Sequence, residues 1–153
     1  MTDSASTHLR LSLPPDPRLL RVLRLVASGV ASLGHLDLSA VEEVRVAVDE
    51  LGSTLIGVSA GQPIELSFEL TATALHVECT TALPSGTELE VDPLTDQILD
   101  VVATSHEWST ADGVARGRFE KTLAMTPSPG SADVPVVTGS SERSAQPDPS
   151  TSS

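Results

Sequence analysis

The stretch VRVAVDELGSTLI, residues 44–56, decides how the rest of the chain can fold. Its apolar residues recur at helical spacing, which predicts an amphipathic helix with one buried stripe. Glu50 lies in the middle of this helix, where an acidic residue must be paired, solvated or functional because burying an isolated carboxylate is costly. Thr54 follows one turn later on the same helical face, so Glu50 and Thr54 are expected to share their surroundings.

Capping signals extend this helix and predict another one before it. The helix is expected to open at Ser39, whose hydroxyl would form a capping box with Glu42. An earlier helix is expected to begin after Asp16, an N-cap residue followed by a proline, and to end at Gly34. Residues 8–13 alternate polar and apolar side chains and predict a strand before that helix. The buried stripe of the second helix would consist of Val41, Val44, Val48, Leu51 and Leu55.

Two hairpins and one short helix are predicted after these elements. Residues 64–70 and 75–79 alternate strictly and are expected to pair as antiparallel strands. Residues 94–104 predict an amphipathic helix, and residues 106–110 and 114–123 predict a second hairpin that turns at Asp112-Gly113. The order strand, helix, helix, strand, strand, helix, strand, strand predicts an α+β fold, a two-layer sandwich with helices on one face of a mixed or antiparallel sheet.

One folded unit is expected within the 153 residues, at residues 8–124. Residues 1–7 are polar and are expected to be flexible. Residues 125–153 are dominated by Ser, Thr, Pro and Gly, and such a segment buries too little apolar surface to offset the entropy of ordering it. We therefore predict a disordered tail after residue 124.

Net charge and hydropathy argue against a nucleic-acid-binding protein and against a membrane-spanning one. The formal net charge of −12 argues against a nucleic-acid partner, because phosphate binding depends on Lys and Arg. No apolar run is long enough to span a membrane, and residues 1–7 lack the pattern of a signal peptide, so we expect a cytoplasmic protein. Arg18, Arg21 and Arg24 recur at every third position and predict a basic helix edge, either solvated or available to an acidic partner.

The cysteine, tryptophan and histidine residues do not form a recognisable catalytic or metal site in the sequence. Cys79 is the only cysteine and is interpreted as a small core residue. Trp108 is interpreted as a packing residue of its strand. The four histidines fall on different predicted elements without the spacing of metal ligands, so we predict no metal site from them. These histidines are His8, His35, His76 and His106.

The element order, together with the sequence AVDE at residues 47–50, resembles the GHKL ATPase superfamily, and within it the bacterial anti-sigma-factor serine kinases. The resemblance covers roughly residues 8–124. It implies a histidine-kinase-like (Bergerat-type) ATPase domain in which Glu50 acts as general base or orients the attacking hydroxyl. In that family an Asn four residues later holds Mg²⁺, and here Thr54 occupies that position. We expect Mg²⁺ binding at Thr54 to be impaired.

Two further motifs of the resembled family are missing. Its first hairpin ends in Asp-x-Gly, which binds adenine, and here Thr81-Ala82-Leu83 stands at that position. Its Gly-rich lid holds phosphate, but only Pro84-Ser85-Gly86 precedes the short helix. The sequence therefore predicts an eroded nucleotide site with Glu50, Thr54 and Thr81 as its remnants.

Three functional hypotheses follow from this comparison. The first is a regulatory protein that has lost its cofactor and binds a sigma factor or a STAS-domain antagonist through the first helix and the neighbouring sheet edge. The second is an active serine/threonine kinase that uses ATP and magnesium, with Glu50 as base and Thr54 as substitute ligand. The third is a ligand-free module that forms a homodimer.

Overall fold

Five strands and three α-helices make up the part of the chain that this computed structural model describes, residues 5–123. The strands form one sheet in the order β1-β2-β3-β5-β4, in which every neighbouring pair is antiparallel. The predicted two-layer α+β sandwich is confirmed, and the sheet is antiparallel rather than mixed. The elements are β1 (Thr7–Leu13), α1 (Leu20–Leu33), α2 (Leu38–Val58), β2 (Ile64–Leu70), β3 (Ala74–Ala82), α3 (Pro93–Val102), β4 (Ser105–Ala111) and β5 (Val114–Thr122).

The predicted tail, residues 125–153, lies outside the described residues, as do residues 1–4. Residue 7, placed in the flexible N-terminus by the sequence, is the first residue of β1. No helix within residues 5–123 combines the length and the apolarity that crossing a bilayer requires.

Helix α2 forms the centre of the core, as its periodicity predicts. Four of the five predicted stripe residues are fully buried, whereas Val41 at the start of the stripe is only half-buried. Gly52 lets α1 approach closely, because a Cβ there would lie 2.9 Å from the Cδ2 atoms of Leu20 and Leu23. The buried stripe residues are Val44, Val48, Leu51 and Leu55.

The predicted capping box of α2 is wrong. The N-cap residue is Asp37, whose carboxylate accepts a hydrogen bond of 2.8 Å from the Ala40 amide. Ser39 lies one residue inside the helix, and Glu42 pairs instead with Arg45 at 2.6 Å. Aspartate and serine are comparable N-caps, so two candidates two residues apart could not be ranked from the sequence.

Helix α1 ends at Leu33, before Gly34, as predicted, but it begins at Leu20, three residues later than the predicted start at Pro17. Asp16 accepts the Arg18 amide at 2.9 Å and caps a 3₁₀ turn, Pro17–Leu19, that leads into α1. Gly34 is the C-cap, but its φ of −82° is open to any residue. Packing here is tight, since a Cβ would lie 3.0 Å from Leu70 Cδ1 and 3.3 Å from Leu123 Cδ2.

The turn between β4 and β5 is confirmed in position and chemistry. Asp112 and Gly113 both have positive φ, 53° and 73°, as a two-residue turn of type I′ requires. The sheet face away from the helices is polar, and cross-strand ion pairs cover it. Arg118 pairs with Glu107 at 2.5 Å and Arg116 with Glu78 at 3.3 Å.

Cys79 is a core residue, as predicted, and its thiol should be inert in the folded protein. Burial is the main cause that raises its pKa, and the neighbouring Glu78 carboxylate adds to the effect. The folded protein therefore keeps the thiol proton above pH ~8.5, where the unfolded chain loses it, and stability should fall as the pH rises further. We expect no reaction with a thiol reagent at pH 8 in native protein and stoichiometric reaction in denaturant. Rapid labelling of the native protein would contradict this.

Candidate functional site

Glu50 lies on the flank of α2 that faces α3, and it already has a partner there. Its Oε2 atom accepts a hydrogen bond of 2.9 Å from the hydroxyl of Thr95. Thr95 is buried in the first turn of α3, while Glu50 is half-buried. The carboxylate that the resemblance assigns as general base is thus held by a neighbouring helix. Thr54, one turn later, is also half-buried.

Thr81 is buried, with 2% of its surface exposed, and its hydroxyl is used within the sheet. The Thr81 hydroxyl donates to the carbonyl of Pro63 at 3.0 Å, next to Ile64, its partner in the β2–β3 register. This bond satisfies the only donor of the side chain. Among the described residues no hydrogen bond joins Thr81 to Glu50, so the two predicted remnants have separate structural roles.

The segment between β3 and α3 forms a turn rather than a phosphate-binding loop. The Thr87 amide donates to the Pro84 carbonyl at 3.0 Å, and Leu83 is tied to the β4–β5 turn by a 2.7 Å bond to the Gly113 carbonyl. Gly86, with φ of +80°, is its only glycine. A phosphate cradle needs several converging amides, whereas the Thr87 and Leu83 amides of this segment are hydrogen-bonded to carbonyls of the chain.

The N-terminus of α3 is occupied by a carboxylate of the same chain. Asp92 caps this helix by accepting the Leu94 amide at 2.8 Å. Asp96 adds a second carboxylate in the first turn. Free amides at a helix N-terminus can bind phosphate, but here the Asp92 carboxylate occupies that end and Asp96 adds a negative charge in the first turn. The chain also has no Lys or Arg between Arg45 and Arg116 that could offset them.

A second set of polar contacts joins α2, α3 and the sheet at the opposite end of α3. The ammonium of Lys121, on β5, pairs with the carboxylate of Glu43 on α2 and donates to the Val102 carbonyl at 2.8 Å. Lys121 thereby caps the C-terminal end of α3. Because Thr95 meets Glu50 and Val102 lies near Glu43, α2 and α3 run antiparallel with their sides in contact.

The sequence did not predict a polar cluster on the other flank of α3. Asp96 accepts a bond of 3.0 Å from the Trp108 indole and lies 3.2 Å from Nε2 of His106. The Asp100 carboxylate lies 3.5 Å from Nδ1 of the same ring. Two spacings in the sequence could have indicated this cluster, because residues 96 and 100 share a helical face and residues 106 and 108 share a strand face.

Two concavities of the described chain lie away from the predicted site. One of about 460 Å³ lies on the open face of the sheet, among residues such as His76, Glu107 and Arg118. The other, of about 230 Å³, lies between α1 and α2 beside Arg24 and Asp49. Neither is lined by Glu50, Thr54 or Thr81. Within residues 5–123, no three His, Cys, Asp or Glu side chains come together in an arrangement that could hold a metal ion.

The predicted basic edge of α1 is partly neutralised within the chain. Arg18 pairs with Asp16 at 2.7 Å, and Arg24 pairs with Asp49 at 2.8 Å. Arg21 is exposed. The same helix carries three exposed apolar side chains on its solvent side, Val22, Leu25 and Leu33.

No protein-family model matches the sequence, and no curated protein matches it significantly. The resemblance to the GHKL superfamily therefore depends on the element order and on residues 47–50 alone.

Proposed function

We propose that this chain is a regulatory protein of the anti-sigma type that acts by binding another protein and has lost ATP turnover. The observation that supports this best is the Glu50–Thr95 hydrogen bond, which closes α3 onto α2 at the predicted nucleotide position. Thr81 is engaged by Pro63, and Asp92 covers the α3 N-terminus, so three places that would bind nucleotide are filled by the chain itself.

The proposed partner is a sigma factor or a STAS-domain antagonist, and the proposed contact surface is α1 with the free edge of β1. On α1 the apolar side chains Val22, Leu25 and Leu33 are exposed, and among residues 5–123 β1 pairs with one strand only, β2. An unpaired strand edge beside an apolar helix face offers both main-chain hydrogen bonds and apolar contact to a partner. A regulator of sigma factors acts in the cytoplasm, which is where we place this protein.

Calorimetric titration of the full chain with ATP and Mg²⁺ tests the proposed loss of nucleotide binding. We expect no saturable heat up to millimolar ATP, because binding would require Glu50 to release Thr95 and phosphates to approach Asp92 and Asp96. Micromolar binding would contradict the proposal. Phosphate transfer to a serine of a partner, abolished by Glu50→Gln, would establish the kinase alternative instead.

The docking part of the proposal is tested separately with the purified sigma factors and STAS-domain proteins of the source bacterium. A complex that is lost in Leu25→Glu and kept in Val101→Glu, on α3, would support the α1 surface. Self-association in the absence of these partners, lost in Leu25→Glu, would favour the homodimer alternative.

A further inference from the structure

Helix α3 presents three different faces. Thr95 and Leu99 are buried against the core, and Asp96 with Asp100 faces His106 of β4. The third face is apolar and lies in solvent, with Leu94 60% exposed and Val101 82% exposed. Ile98 lies between them, four residues after Leu94, so the three side chains form one stripe.

The contacts between α3 and β4 determine which way this stripe faces. Since Asp96 and Asp100 are turned to β4 at the sheet edge, the stripe is on the opposite flank of α3, towards α2. Helix α2 runs antiparallel beside it and places the carboxylates of Glu43 and Glu50 along its length. An exposed apolar stripe thus lies beside two carboxylates of α2, of which Glu43 is paired with Lys121 and Glu50 accepts a hydrogen bond from Thr95.

The exposed charged side chains around the stripe are acidic. The loop before α3 adds Glu88, Glu90 and Asp92, all exposed. No Lys or Arg occurs between Arg45 and Arg116, and the nearby Lys121 is paired with Glu43. Large exposed apolar side chains that cluster on one helix mark interaction sites more often than plain surface.

We propose that the stripe Leu94, Ile98 and Val101 is a docking surface for a basic amphipathic helix of a protein partner. Such a helix would lay its apolar face on the stripe and its Lys or Arg side chains against the exposed carboxylates of Glu88, Glu90 and Asp92. The surface is separate from the one assigned above to α1, and the inference does not depend on the loss of nucleotide binding.

Other occupants fit the same surface less well. The exposed carboxylates before α3 would repel an anionic lipid surface. A second copy could offer its α1, but an α1-to-α3 contact is head-to-tail and tends to propagate rather than close. Residues 125–153 of the same chain contain Asp133, Glu142 and Asp148 against a single Arg143, so their charge is of the wrong sign.

The test uses the full chain and a labelled synthetic helix with Leu and Lys at helical spacing, followed by fluorescence anisotropy. We expect micromolar binding that weakens as salt is raised, and no comparable binding of a scrambled peptide or of a peptide with Glu in place of Lys. In the double variant Leu94→Ala, Val101→Ala, affinity should fall about tenfold through lost apolar contact, with the melting temperature unchanged.

The matched control removes two equally exposed leucines from α1, Leu25→Ala with Leu33→Ala, which are 68% and 62% exposed. This variant should bind the basic peptide as the native chain does. No binding of the basic peptide, equal binding of the scrambled peptide, or equal loss in the α1 control would overturn the proposal. Binding of vesicles rich in phosphatidylglycerol, or self-association abolished by the α3 variant, would assign the surface to another occupant and overturn it too.

Discussion

Gly117→Ala is expected to destabilise the fold by about 3 kcal/mol, the largest effect of any single methyl group in the described chain. Gly117 lies on β5 opposite Trp108 of β4, and the indole lies over it. A Cβ at this position would stand 2.5 Å from Trp108 Cζ3 and 3.2 Å from Leu51 Cγ. Since the indole is rigid and Leu51 is in the core, neither can move away cheaply.

Denaturant unfolding with tryptophan fluorescence measures this loss. Gly29→Ala is the control, because no atom lies within 4 Å of a Cβ added there and the change should stabilise α1 by up to ~1 kcal/mol. If the clash is the cause, Gly117→Ala should cost much less in a Trp108→Leu background, with circular dichroism as the probe. Equal costs in both backgrounds would show that the indole is not responsible.

Lys121→Met is expected to cost about 2 kcal/mol, the second large effect. The Lys121 side chain is only 15% exposed, and it joins the Glu43 carboxylate to the C-terminal end of α3. Its removal leaves Glu43 without a counter-charge and the Val102 carbonyl without a donor. Chemical denaturation at neutral pH measures the change.

The control for Lys121 is another basic residue of the same strand. Arg118 pairs with Glu107, but both side chains are more than half exposed, so Arg118→Met should cost less than ~0.5 kcal/mol. Adding Glu43→Gln to Lys121→Met should recover part of the loss by removing the unpaired charge. Similar costs at residues 118 and 121 would contradict the structural role given to Lys121.

Local patterns predicted most of the fold. The stripe of α2 follows from its 3.6-residue period, and the β4–β5 turn follows from the two residues Asp112-Gly113, whose backbone conformation is set locally. Strand alternation likewise placed Cys79 and its neighbours on the buried face. Each of these features is decided by residues close in sequence, which is why one sequence was enough.

Features that depend on tertiary placement could not be predicted in the same way. The sequence suggested that Glu50 needs a partner, but Thr95 is separated from it by two strands and a loop. The cluster of Asp96 with His106 and Trp108 depends on the angle at which α3 crosses the sheet. The need for glycine at residue 117 arises only once β5 is paired with β4, since the register brings the indole over it.

These contacts lead to one account of the molecule. The elements that resemble a nucleotide site are held together by the Glu50–Thr95 hydrogen bond, and the side chains of Glu50 and Thr81 both have partners within the fold. Exposed apolar side chains remain on α1 and α3, at opposite flanks of the helical layer, and these are the surfaces at which we propose that proteins bind. On this account the scaffold works through its surfaces rather than through a pocket.

The most direct test of this account is an amide ¹H–¹⁵N spectrum of the full chain, recorded while ATP and Mg²⁺ are added to millimolar concentration. The account predicts that the signals of residues 47–54, Thr81 and residues 92–99 stay where they are, because the α2–α3 contact remains closed. Saturable shifts confined to those residues, with Thr95 among them, would show that nucleotide enters beside Glu50 and would contradict the account.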